Sequence, residues 1–377
     1  MTRLIFLIGA CAALAACGRK EETAPPAPSE PAPSGEVVAA DEYGPFDAPV
    51  ADIAFWTHPS LSFRGLVLVA TSNGVAAYNI EDGAEVARID GIEAGGIDVV
   101  YAGTGAAARG LAIVDERGAG AFRVFEIDNE TRSLEPLAVS GGASRRDAAF
   151  CAGPQRDGAP LLIELNGKNV KSYGLDIRQD SVGFSPSGTQ HAPEEIAACV
   201  VDPLDGTVFL AGRSGAVFRM SADGAIAKPP FAKLQIEDPK AIGLALGGLI
   251  EGGPTEECCG EIAVLDAADA VIHVLDRDDG SAIGTVRIAS SFDVEGVSTA
   301  TAMGVGYGNF GGIYRDGVVA LATDGERPAV RLVPLNGVMD ALSAPMGPTA
   351  EPRALSPKPA EDDGLIIDVD LVPSEPH

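Results

Sequence analysis

The sequence is short of positive charge. Its 27 Lys and Arg face 54 Asp and Glu, a formal net charge of −27. No stretch gathers the basic residues into a patch, so nothing is set up to neutralise a phosphate backbone, and nucleic acid is excluded as a natural partner. The apolar run Leu4 to Ala16 is too short to span a bilayer. Cysteine is sparse, six in 377 residues, and no C-x-x-C or comparable Cys/His spacing occurs. A structural zinc is therefore not expected. Helical periodicity is scarce between residues 50 and 337. There is no G-x-S-x-G elbow, no P-loop and no H-E-x-x-H. Gly306 to Gly311 does satisfy G-x-G-x-x-G, but the strand-like Val318 to Thr323 follows it, not a helix, and the dinucleotide reading fails. What the chain has in surplus is carboxylate, which suits either calcium binding or plain solubility.

The N-terminus reads as a leader. Met1-Thr2-Arg3 is a short basic region, and Leu4 to Ala16 ends in Leu14-Ala15-Ala16-Cys17, which resembles a bacterial lipobox. That resemblance implies lipidation at Cys17 and, with Gly18 next, sorting to the outer membrane, with the domain in the periplasm or at the cell surface. Residues 18–49 are rich in Pro, Ala, Ser and Glu and read as an extended tether. The domain proper is placed at 50–342, and 343–377 is a Pro-rich tail. Within that tail Leu365 to Val372 alternates like a strand. It either completes a blade and closes a ring or stays an unpaired edge.

Between 50 and 337 the chain is short alternating apolar runs separated by Gly/Asp/Asn turns, the mark of antiparallel β structure. One pattern recurs, a strand leading into an acidic or Gly turn, with leading residues Tyr78, Phe125, Tyr173, Phe218, Val274 and Val333. The gaps are 47, 48, 45, 56 and 59 residues. A near-constant period of that size in an all-β chain is a blade repeat, and six copies predict a six-bladed β-propeller. The 46 glycines fit its density of turns. Cys151 and Cys199 lie about one repeat apart and suit a bridge between neighbouring blades, which an oxidising compartment permits. Cys258-Cys259 is a vicinal pair in a Gly/Glu-rich loop, with no pairing legible.

The stretch Asp52-Ile53-Ala54-Phe55-Trp56-Thr57-His58-Pro59 holds the chain's single tryptophan. An acid, an apolar ladder, Trp and then x-His-Pro resembles the opening of the β-propeller phytases, calcium-dependent phosphatases that remove phosphate from inositol hexakisphosphate. The resemblance runs over about residues 50–340. It implies a site at one mouth of the central channel, where carboxylates hold calcium, a bridging water attacks phosphorus, and Lys and Arg clamp phosphate oxygens. Matched residue by residue, it implies metal ligands at Asp52, Asp98, Glu194, Asp293, Glu295 and Asp324. It implies phosphate binding at Arg117 and Lys168, and catalytic roles for Glu194 and Lys168. His58 belongs to the structural Trp-x-His-Pro turn; His191 reads as an exposed loop residue and His273 as a strand residue.

The chain departs from that pattern where Ala51 and Ile53 flank Asp52, where Ala70-Thr71-Ser72-Asn73 lacks a lysine, where Phe150-Cys151 replaces a Tyr/His pair, and where Ala211-Gly212-Arg213 lacks acids. At Lys240 to Leu244 two carboxylates are missing and a cation stands in their place. Two functions follow as expectations. One is a calcium-assisted phosphomonoesterase acting on phytate or a related phosphorylated small molecule. The other is a monomeric, lipid-anchored propeller with a degenerate site, serving as a binding or scaffolding module. A lactonase-type propeller would need a Glu/Asn/Asp metal set that the chain does not supply.

Overall fold

The computed structural model describes residues 34–103, 105–143, 148–154, 159–246 and 260–343. Cys17, Cys258, Cys259 and the strand read at Leu365 to Val372 lie outside them. The fold is a six-bladed β-propeller. Blade 1 comprises Val50–Trp56, Leu66–Thr71, Gly74–Asn79 and Glu85–Asp90; blade 2 comprises Ala94–Ala102, Arg109–Glu116, Ala121–Ile127 and Leu134–Pro136. Blade 3 comprises Ala149–Pro154, Pro160–Asn166, Asn169–Ile177 and Ser181–His191, with Ala138–Ser140 added in parallel at its edge. Blade 4 comprises Ile196–Val201, Val208–Gly212, Ala216–Met220 and Ala232–Lys233. Blade 5 has Pro239–Leu246, Gly260–Asp266, Val271–Asp276 and Ala282–Ala289, and blade 6 has Ala300–Gly306, Val318–Thr323 and Val330–Pro334. The first strand of every blade contacts the first strands of both neighbours, blade 6 returning to blade 1, so these six strands wall the axial channel.

The second strands explain why the blades stack. Leu66–Thr71, Gly260–Asp266 and Val318–Thr323 are buried almost throughout, because neighbouring blades cover both of their faces. Such strands read as continuous apolar runs rather than alternating ones. The core is accordingly divided among six seams. Trp56, Leu68, Val114 and Phe125 fill the one between blades 1 and 2, and Leu111, Leu162, Phe122 and Phe184 fill the next. Trp56 is fully buried. It packs so closely against blade 2 that a Cβ on Gly110 would stand 2.1 Å from its Nε1. The repeat read from the sequence is the third strand of each blade: Tyr78, Phe125, Tyr173, Phe218, Val274 and Val333 all fall there and all are buried.

The ring closes where the sequence suggested tether. Asp41–Tyr43 pairs antiparallel with Val330–Pro334 and is the fourth strand of blade 6, while Ser34–Val38 lies parallel to Ala282–Ala289 as a fifth strand of blade 5. The folded domain therefore takes in residues 34–43, ahead of the expected boundary at 50. The seam is held by the Tyr43 hydroxyl donating to the Ile80 carbonyl at 3.0 Å, by Tyr43 lying against Tyr78, and by Tyr314 donating to Asp41 at 2.6 Å. After Val333 the turn expected at Asn336-Gly337 is instead a short helix, Leu335–Ala341, whose Leu335, Val338 and Met339 turn inward at helical spacing. The predicted bridge between neighbouring blades is present: Cys151 and Cys199 join the first strands of blades 3 and 4.

Candidate functional site at the channel mouth

In five blades the first strand carries an extra residue near its start, at Ala51, Gly95, Ala197, Lys240 and Thr301. A bulge bends the strand and re-aims its side chains. Here all five extra residues line one cavity of about 450 Å³ that follows the axis. The turns joining second to third strands, and the links from one blade to the next, converge on this same face. The face therefore collects Arg117 (blade 2), Lys168 (blade 3), Glu194 on the link to blade 4, Asp293 and Glu295 on the link to blade 6, and Asp324 (blade 6). Of these only Arg117 reaches the channel wall, which also holds Asp52, Asp98, Glu195, Arg213 and Lys240.

Asp52 and Asp98 each tie two blades together. Asp52 accepts the N–H of Ile53 at 2.9 Å and, across the seam, that of Ile97 at 3.0 Å. Asp98 accepts the N–H of Val99 at 2.8 Å and that of Ala152 in blade 3 at 2.7 Å. Both are half-buried on the channel wall. Burial pushes the Asp52 carboxyl up to about 7 against the pull of its two N–H donors, with the Asp98 charge adding to the rise and Arg117 opposing it. Burial likewise raises Asp98 to about 6. Farther along, the Tyr307 hydroxyl is held well above its ordinary value, first by burial and then by Tyr101, Asp202 and Asp98.

The cations stand at the rim. Arg117 folds over Gly95, donates to its carbonyl at 3.2 Å and lies 4.0 Å from Asp115. Arg213 is 3.9 Å from Asp238. Lys168 donates to the Pro193 carbonyl at 3.2 Å, away from the channel wall. Glu194 is also turned aside: its two oxygens accept the backbone N–H of Ser214 at 2.9 Å and the Ser214 hydroxyl at 2.6 Å. The Glu295 backbone carbonyl accepts from Arg331 at 2.9 Å, and Asp324 accepts the N–H of Gly325 at 2.8 Å.

Calcium takes about 6–8 oxygen ligands. Among the described residues no three His, Cys, Asp or Glu side chains come together closely enough to hold a metal ion. The six carboxylates implied by the resemblance share a face, spread over several blades. His58 is structural, as expected of its turn. Its Nδ1 accepts the N–H groups of Ser60 and Leu61 at 3.1 and 3.0 Å, which fixes the Nε2–H tautomer donating to the Asn129 carbonyl at 2.7 Å. In the sequence Arg213 and Lys240 stand out only as departures from a pattern, and no motif marks the channel residues Tyr101, Thr301 and Tyr307. The one signal pointing to Lys240 was its position just inside a first strand.

These features define the protein as a six-bladed β-propeller with a cation-rimmed channel. No protein-family profile matches the chain, and no curated protein does. Among solved structures it is similar to a chain in the crystal structure of BBS1N in complex with ARL6DN, soaked with lead. That likeness has 12% identity and a TM-score of 0.44, covering 76% of this chain and 78% of that one.

Proposed function

We propose that this propeller is a binding module that takes an anionic small molecule at its channel mouth, held to the outer membrane through a lipid on Cys17. The observation that carries the reading is the convergence of Arg117, Arg213 and Lys240, from blades 2, 4 and 5, on one cavity in a chain of net charge −27. Cations gathered toward one end of a concave wall raise the local concentration of an anion there, even though the wall also holds Asp52, Asp98 and Glu195. Of the carboxylates that a hydrolase would need, Glu194 is engaged with Ser214, and Asp52 and Asp98 each already accept two backbone N–H groups, leaving them fewer acceptor sites than a calcium ion seeks.

Calorimetric titration with inorganic phosphate and with phytate tests this. Binding should weaken by about tenfold in Arg117→Gln and in Lys240→Gln, the loss expected for one charge-assisted hydrogen bond. Unchanged affinity in both variants would refute it. A second reading, a calcium-assisted phosphomonoesterase resembling the β-propeller phytases, is favoured by the shared face of Arg117, Lys168 and Glu194. Phosphate release from phytate or p-nitrophenyl phosphate that requires calcium, stops with chelator and is lost in Glu194→Ala would establish that reading instead.

A further inference from the structure

Asp52 and Asp98 are two neighbouring half-buried carboxylates on the channel wall, and among the described residues neither has a salt-bridge partner. Every hydrogen bond they make among the described residues is to backbone N–H, and Arg117 reaches Asp52 only through its longer-range field. A carboxylate offers roughly four acceptor sites, and two are filled at each. Charge partly withdrawn from water is costly unless a cation or metal accompanies it. Around them the wall is aromatic. A Cβ on Gly96 would stand 3.0 Å from the Phe150 ring and 3.4 Å from Asp52 Oδ2, so ring and carboxylate are adjacent. Phe55, Tyr101 and Tyr307 line the same cavity. Carboxylates flanked by aromatic rings are a setting for a protonated amine, which is attracted to both.

The rim carries three cations, Arg117, Arg213 and Lys240, beside one carboxylate, Glu195. Arg117 lies over Gly95, one residue from the Gly96 that faces Asp52, so positive and negative layers follow one another inward. We infer that the channel recognises a zwitterionic small molecule, its anionic group on Arg117, Arg213 and Lys240 and its protonated amine one layer deeper on Asp52 and Asp98. The placement of the negative end rests on the anion reading above; the amine site does not. A divalent metal is the less suitable cation for the pair. It would seek about 6–8 oxygens, and no third His, Cys, Asp or Glu among the described residues joins to make a metal set. An ammonium has three donors to satisfy, fewer than the free acceptor sites of the two carboxylates.

Three probes separate the layers, titrated calorimetrically into the full chain: phosphoethanolamine, ethyl phosphate and ethanolamine. Phosphoethanolamine should bind at least about tenfold more tightly than ethyl phosphate, the gain of one charge-assisted contact. Asp52→Asn and Asp98→Asn should each erase that preference while leaving ethyl phosphate within about twofold, a difference below half a kcal/mol. Arg117→Gln should weaken both phosphate probes. Equal affinity of the wild-type protein for phosphoethanolamine and ethyl phosphate overturns the inference, whether or not the asparagine variants fold. A preference that survives in folded Asp52→Asn and Asp98→Asn overturns it too. If ethyl phosphate fails to bind but ethanolamine binds and is lost in the asparagine variants, the anion reading falls and the amine site stands.

Discussion

Replacing Cys151 and Cys199 together by alanine, or reducing the native protein, opens a covalent loop between residues 48 apart. In the chain-entropy description, closing a loop of that length removes enough freedom from the unfolded chain to stabilise the native state by roughly 4 kcal/mol. A domain of about 300 residues unfolds with an entropy near 2.1 cal/mol/K per residue, so losing the bridge should lower Tm by about 6 °C. Alanine adds a second loss, because both sulfurs are buried and their removal leaves small voids worth about 1 kcal/mol. The reduced wild-type protein keeps its sulfur atoms and isolates the loop contribution. Circular dichroism melts with and without a phosphine reductant, alongside the double variant, read both losses. Reduced protein should melt about 6 °C below oxidised protein, with the double variant lower by a further degree or two. A reduced protein melting within about a degree of the oxidised one would refute the reasoning, since a loop of this length cannot be opened so cheaply if the bridge constrains the unfolded chain.

The closing seam should be a weak point. Tyr43→Ala removes the ring packed on Tyr78 and the hydrogen bond to Ile80, and should cost about 3–5 kcal/mol in urea denaturation, whereas Tyr43→Phe should cost about 1 kcal/mol. His58→Ala removes a buried ring and the partner of three backbone groups at a partly exposed turn, a loss of about 2–4 kcal/mol that fluorescence of Trp56, packed against the His58 ring, should report. Glu261 gives the pH dependence. Burial, and then the Asp276 charge, raise it from 4.5 to about 7. Its contribution to stability is therefore full below pH 4.5 and is lost as pH rises through 7. Glu261→Gln should gain on the wild-type protein by up to about 3 kcal/mol between pH 4 and pH 8, and a gap independent of pH in urea denaturation would contradict the assignment.

The propeller was legible because its signal repeats. Tyr78, Phe125, Tyr173, Phe218, Val274 and Val333 occupy one structural position six times, and burial from both sides keeps each copy apolar. The closing strands were not legible for the converse reason. Ser34–Val38 and Asp41–Tyr43 sit on outer edges, show alternate residues to solvent and follow a Pro/Ala/Glu-rich run, so little apolar pattern is left to read. The helix at Leu335–Ala341 is two turns long, too short for periodicity to separate from a strand ending at Pro334. At the site, turn positions placed Arg117, Lys168 and Glu194 on one face. What each carboxylate oxygen does depends on contacts between residues about a blade apart, such as Asp52 with Ile97 and Asp98 with Ala152. No local motif encodes those. Arg213 and Lys240 were visible but measured against a borrowed pattern; their convergence with Arg117 emerges only when the ring closes.

That closure also sets an order of events. The segment that completes blade 6 precedes blade 1 in the chain, and Asp41 has no strand partner until Leu332 has been synthesised. Until then the nascent ring has an unfinished edge on blade 6 and an uncovered flank on blade 1, both rich in apolar side chains. Contacts so distant in sequence form late and slowly, and they leave the intermediate open to aggregation. Release from the ribosome, rather than emergence of any one blade, is then the step that commits the domain. The same arrangement governs how the finished fold bears load. A pull on the chain ahead of Ser34 runs along the parallel pairing of Ser34–Val38 with Ala282–Ala289 and strains its hydrogen bonds together, in shear, instead of peeling them apart singly.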